Sequence, residues 1–154
     1  MASTNEDVVV LATARLDDGR LLVVRHLPDR GTVELDWWVR DENGAMAPGP
    51  SVLELAAEAV EVDAVARLGT GLAGAGWATA MEGQTVAATP PAADGAEVVA
   101  VRAGDGLRLV RHSEGGDLAL PSRAALDLFA ATFPAARRKL EALGFGLVQQ
   151  GGQA

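Results

Sequence analysis

Pro48-Gly49-Pro50-Ser51-Val52-Leu53-Glu54-Leu55-Ala56-Ala57-Glu58-Ala59-Val60-Glu61 reads as a rigid loop that opens into a helix. Two prolines around a glycine fix a turn. Ser51 followed three positions on by Glu54 has the capping-box pattern, in which hydroxyl and carboxylate satisfy the orphan N–H groups of a first helical turn. A helix is therefore expected from Val52, with Val52, Leu55, Ala56, Ala59 and Val60 on one side and Glu54, Glu58 and Glu61 on the other. Running it on to Leu68 would bring Asp63 into the apolar side, where a carboxylate is costly. The expected end is thus Glu61 or Val62, and Asp63 to Leu68 is left to alternate as a strand.

Working outward, Val8 to Leu16 is a β-rich run, Asp17-Asp18-Gly19-Arg20 a turn, and Leu21 to Val24 its return strand, which together predict a hairpin. Thr32 to Arg40 is a third strand, carrying Trp37-Trp38, and Asp41 to Gly44 a turn. Further strands are expected at Trp77 to Met81 and Thr85 to Thr89, then a loop from Pro90 to Gly95. A second hairpin follows, Glu97 to Arg102 and Leu107 to His112 around Gly104-Asp105-Gly106. The last third predicts a helix from Ser122 to Thr132, broken at Pro134, resumed through Leu143 and stopped by Gly144. The expected fold is a single α/β (α+β) domain over residues 8–148. It has a mixed or antiparallel sheet of roughly six to eight short strands, one internal helix on a face of the sheet, a C-terminal helical segment, and flexible ends at 1–7 and 149–154.

Composition narrows the function. In 154 residues, 21 acids face 13 bases for a net charge of −8, a field that repels phosphate backbones and anionic lipid. Nucleic acid and membrane are accordingly excluded as partners, leaving a small molecule or another protein, with a homodimer allowed. Cysteine is absent, which removes disulfides, thiol nucleophiles and thiolate metal sites and makes the cytoplasm the default location. The start, Met1 to Asp7, is polar and acidic, unlike a secretory leader. Much of the apolar content is alanine, and only three Phe and three Trp supply large rings, so the core is expected to be thin.

Asp17 to His26, then Trp37-Trp38-Val39, then Pro48 to Ser51 ahead of a helix resemble the first half of a Nudix hydrolase domain, over residues 8–70. The resemblance implies a Nudix-like fold in which helix glutamates hold a divalent metal. Aligned on Gly44, the family signature places Pro50 at its first glutamate, Glu58 at its arginine, Val60 at its aliphatic position, and Val62 and Asp63 at its glutamate pair. Shifted by one residue, Glu58 and Glu61 take two glutamate positions, but Asn43 falls at the glycine and Ala57 at the arginine. Cleaving a diphosphate linkage needs Mg²⁺ held by several converging carboxylates, and neither register supplies them. The implied function is a cytoplasmic accessory or binding protein of Nudix-like fold without a competent metal site and with no cofactor, taking a nucleotide-like or phosphorylated small molecule or a protein. Its ligand-binding groove, between sheet and helix, would use Arg25, Trp37, Trp38 and Glu58. The alternative is a divergent Mg²⁺-dependent phosphohydrolase with Glu58 and Glu61 as catalytic and metal-binding residues. Read without the resemblance, Glu54, Glu58 and Glu61 are the solvated stripe of an amphipathic helix.

Val101 to Glu114, Leu118 to Leu120 and the helix carrying Phe129 also resemble a short actinobacterial domain of unknown function, which implies a third reading, a partner of a helix-turn-helix regulator acting through its C-terminal helix. Finally, Asp18 to His26 echoes Asp105 to His112. Either a duplicated β-unit brings His26 and His112 together, in which case Glu114 or Asp117 could complete a metal site, or hairpins rich in Leu, Val and Arg converge by composition. Ser113 and Ser122 lack the Gly-x-Ser-x-Gly elbow of a nucleophile, and Gly71-x-x-Gly74-x-Gly76 lacks the Lys-Ser/Thr of a phosphate loop.

Overall fold

The structure, a computed structural model, describes residues 8–74, 76–77, 79–91, 97–112 and 115–143. Within them the chain runs twice through the same plan, a four-stranded meander followed by a helix. The first pass is β1 (Val9–Arg15), β2 (Leu21–Leu27), β3 (Thr32–Arg40), β4 (Met46–Ala56) and α1 (Ala59–Gly74). The second is β5 (Thr85–Ala88), β6 (Val98–Ala103), β7 (Gly106–Arg111), β8 (Asp117–Leu120) and α2 (Arg123–Ala142). Each meander forms its own sheet in sequence order, and every described strand pair is antiparallel. The fold is therefore α+β with two antiparallel sheets, which replaces the single mixed or antiparallel sheet expected from sequence.

The largest correction falls on the opening stretch. Ser51 does not cap a helix: Val52 to Ala56 continue β4, paired with β3. Ser51-Val52-Leu53-Glu54-Leu55 carries two periods at once, and the strand period wins because it sends Leu53 and Leu55 together into the core, both fully buried, and leaves Val52 and Glu54 on the other face. The helix begins at Ala59 and runs 16 residues through the segment expected to be a strand. The objection to that length was Asp63. Its carboxylate lies beside α2, where Arg137 donates to it, so the charge is paired instead of buried alone.

Other expectations shift less. Trp77 and residues 79–81 form a turn and not a strand. Pro134 does not break α2. Ser122 caps the helix by accepting the Ala125 N–H, and Phe129, Phe133, Ala136 and Leu140, buried on both sides of the proline, hold the helix straight through the missing hydrogen bond. The ends expected to be flexible, most of the loop after Pro91, Ser113, Glu114 and Gly144 lie outside the described residues.

The two sheets meet where β4 passes β8. Leu53 bridges Gly116, the Glu54 N–H donates to Gly115 O at 2.7 Å, and the Trp37 indole N–H donates to Ala119 O at 2.6 Å. Each helix packs on the far meander as well as its own: α2 covers β1 and β2, α1 reaches β5, and the helices pack on each other. Gly69 makes that last approach possible, since a side chain there would strike the Phe129 ring. The exposed edge of β1 is protected by an irregular register between Val10 and Ala12 and by Lys139, whose ammonium caps Val10 O at 3.1 Å.

Gly116 has φ +73°, and a Cβ there would collide with Val52 O across the seam. Gly116→Ala should lower unfolding stability in urea by about 2 kcal/mol or more, whereas Gly71→Ala, in open space on α1, should raise it by roughly 0.5–1 kcal/mol.

Candidate functional site

The residues singled out from sequence are dispersed. Trp37 points into the core, 7% exposed, with the Arg20 guanidinium 5.4 Å from its ring centre. Trp38 alternates to the opposite face of the sheet, beside Arg25. Glu58 is exposed in the turn before α1, where its carbonyl accepts the Val62 N–H. Glu61, in the first turn of α1, is gripped through both oxygens by Arg111 of β7. The expected groove of Arg25, Trp37, Trp38 and Glu58 between sheet and helix is therefore not formed, because strand alternation divides the tryptophans and Arg25 shares the outward face with Trp38. Glu54, read as part of the helix stripe, stands on β4 opposite Glu34.

On that outward face the structure assembles a polar cluster. Arg25 on β2 lies between two acids of β3, 3.0 Å from Glu34 and 3.5 Å from Asp36, with its guanidinium 5.8 Å from the Trp38 ring centre. The Trp38 N–H donates to Asp36 at 3.1 Å. Glu34 is also approached by Arg30, which reaches Glu54 as well. Although they face outward, Glu34 and Asp36 are only 7% and 2% exposed. Burial is the largest influence on both and pushes their carboxyls above the ordinary range; Arg25 opposes it at each, and Glu54 adds to it at Glu34. One guanidinium nitrogen of Arg25 serves both acids and its Nε is buried without a partner among the described residues, so it is an internal counter-ion and not an open anchor for a ligand.

The open surface lies along α1. Three depressions border the helix, and Arg67 lines all of them. The acids on this helix are already neutralised, Glu61 by Arg111 and Asp63 by Arg137. Arg67 is exposed and makes no ion pair or hydrogen bond among the described residues. One depression, of about 520 Å³, lies between α1, the turn at Trp77 and β5; another, of about 530 Å³, lies between the start of α1 and Pro90 and Pro91.

The histidines are not equivalent. His26 is buried on the core side of β2, where desolvation holds its pKa below the ordinary value, whereas His112 follows β7 on the surface, 3.7 Å from Glu97. The echoed hairpins are the first of one meander and the middle one of the other, so the repeated sequence is out of phase with the repeated fold. Among the described residues no group of three or more His, Asp or Glu side chains could hold a metal ion, and no helix is long and apolar enough to cross a membrane. No family model, curated protein or solved structure matches the chain. Sequence reasoning passed over Arg67 and Asp36; the strict alternation of Glu34, Asp36 and Trp38 along one strand was the signal for the second, and nothing in sequence marked the first.

Because Asp36 holds its proton more tightly folded than unfolded, the folded state binds more protons just above the ordinary carboxylate range, and Asp36 withdraws stability as pH rises through that window. In urea unfolding across about pH 4 to 7, the stability of Asp36→Asn relative to the unsubstituted protein should improve with rising pH. A constant difference would contradict a raised Asp36.

Proposed function

We propose that the chain is a binding protein, not a metal-dependent hydrolase, and that its ligand seats along the open side of α1. The observation that carries this reading is the distribution of charge on that helix: its carboxylates are committed to arginines of β7 and α2, while Arg67, where the three depressions meet, is left unengaged among the described residues. A hydrolase of the Nudix kind needs free converging carboxylates. Glu61 is spent on Arg111, and Glu58 stands apart in the preceding turn. The Nudix resemblance contributes only its hairpin and tryptophan strand, since the proline-glycine loop is part of β4. A cytoplasmic accessory role accords with the cysteine-free, acidic composition. The regulator-partner reading is weaker, because the apolar side of α2 is occupied by the core.

Glu61 and Arg111 are each about seven-eighths buried, so Glu61→Gln should cost about 2–4 kcal/mol of stability. Mg²⁺-dependent phosphate release from nucleoside diphosphate derivatives should stay at background for the unsubstituted protein and for Glu58→Gln alike. Turnover abolished by Glu58→Gln would overturn the binding reading. Thermal-shift measurements with small anionic compounds should show stabilisation that Arg67→Gln removes.

A further inference from the structure

We propose that the depression between α1, the Trp77 turn and β5 is a binding site for a small carboxylate with an apolar body. The inference rests on the binding role assigned above to the open side of α1 and specifies its ligand. Three features of the depression converge.

The first is an unsatisfied donor. Trp77 is 6% exposed, and its indole N–H is buried without an acceptor among the described residues. A buried indole N–H normally finds a partner, and Trp77 lines the depression. The second is the sign of Gln84 and Arg67, which stand beside the two-way hydroxyls of Thr79 and Thr85. Gln84 commits its Oε1 to the Met81 N–H at 2.9 Å, which leaves its amide NH₂ to donate, and Arg67 can only donate. The third is the electrostatic setting. Although the chain has 21 acids, no carboxylate stands among the residues lining this depression, whereas the neighbouring one carries Glu61, Asp63 and Glu97. The Trp77 ring is flanked by the Arg102 and Arg123 guanidinium groups, 5.1 and 5.8 Å from its centre. Although Arg123 is itself paired with Asp127, the walls carry an arginine and an amide NH₂ and no carboxylate, which in a protein of net charge −8 suits an acceptor-bearing anion.

The choice of anion follows from what else lines the site. Leu68, Leu72, Val86 and Ala87 form apolar walls that a bare phosphate could not use. Only one cation lines the depression, and the protein's own field opposes a second negative charge. A carboxylate matches the planar fork of Arg67, with its ring or short chain against the leucines, while the buried Trp77 N–H adds a positive dipole edge beside the site. No covalent step is involved.

The test uses phenylacetate, its neutral amide and inorganic phosphate as probes on the full chain, read through the indole N–H resonances of its three tryptophans. Phenylacetate should move the Trp77 resonance saturably at up to millimolar concentration and leave Trp37 and Trp38 in place; phenylacetamide and phosphate should not. Arg67→Gln, at an exposed position, should weaken binding about tenfold or more, as expected for losing one charge-assisted pair. Gly71→Leu fills this depression from a helix position with open space, and Ala64→Leu fills the neighbouring one. Binding should be lost with the first and kept with the second. Phenylacetate binding that depends on Arg67 and is blocked by Ala64→Leu but not Gly71→Leu would overturn this site and leave the binding role of α1 standing. A Trp77 resonance that responds equally to the amide, or only to phosphate, would overturn the carboxylate assignment. No response to any probe would overturn the proposal.

Discussion

The Trp37 indole donating to the Ala119 carbonyl, beside the Leu53–Gly116 bridge, is the contact on which the architecture turns. It joins two meanders that are otherwise separate sheets, and it brings β4 and β8 close enough for both helices to share one core. A part-buried indole hydrogen bond between residues 82 apart is fixed in length and direction, unlike the leucine- and valine-rich packing around it. The glycines at 115 and 116 allow the approach. Leucines fill the core on either side, and alignment of the sheets falls to this polar junction and to the small residues that flank it.

From that junction the surface chemistry follows. Joining the sheets at β4 and β8 places both helices on the inner side and leaves the other face of the first sheet to water. There Arg25, Glu34, Asp36 and Trp38 close over one another into a mutually paired cluster. The same arrangement lays α1 against β4, β5 and α2, with its acids tied across to β7 and α2 and one flank uncovered. The two polar regions therefore differ in kind. One is internally paired, and the other has a cation and a buried donor that meet no partner among the described residues.

Much of the fold was legible in sequence, and the misreadings share one cause. The Asp17–Arg20 and Gly104–Gly106 turns declared their hairpins because their chemistry is local. The third strand and the start of the last helix were readable for the same reason, Ser122 being a true cap. Ser51 looked like the same signal and was not, because the choice between strand and helix for Val52 to Ala56 was settled by whether Leu53 and Leu55 could reach a core built by other strands. Asp63 shortened the expected helix only because its partner, Arg137, lies 74 residues away. Pro134 misled likewise: its cost is local, while the burial of Phe129, Phe133 and Leu140 that outweighs it is not. For the candidate site, residue types suggested Arg25 and Trp38, but the absence of a partner at Arg67 is a property of three-dimensional placement and leaves no trace in composition or period.

The packing of α2 on the first meander has a consequence for the order in which the molecule can be assembled. As the chain leaves the ribosome the first sheet is complete by Ala56, yet the surface of β1 and β2 that α2 will cover stays bare until residues 123–142 have emerged. The first half therefore completes its core only when α2 joins it. The contacts that tie the halves together have high sequence separation, the class of contact that slows folding.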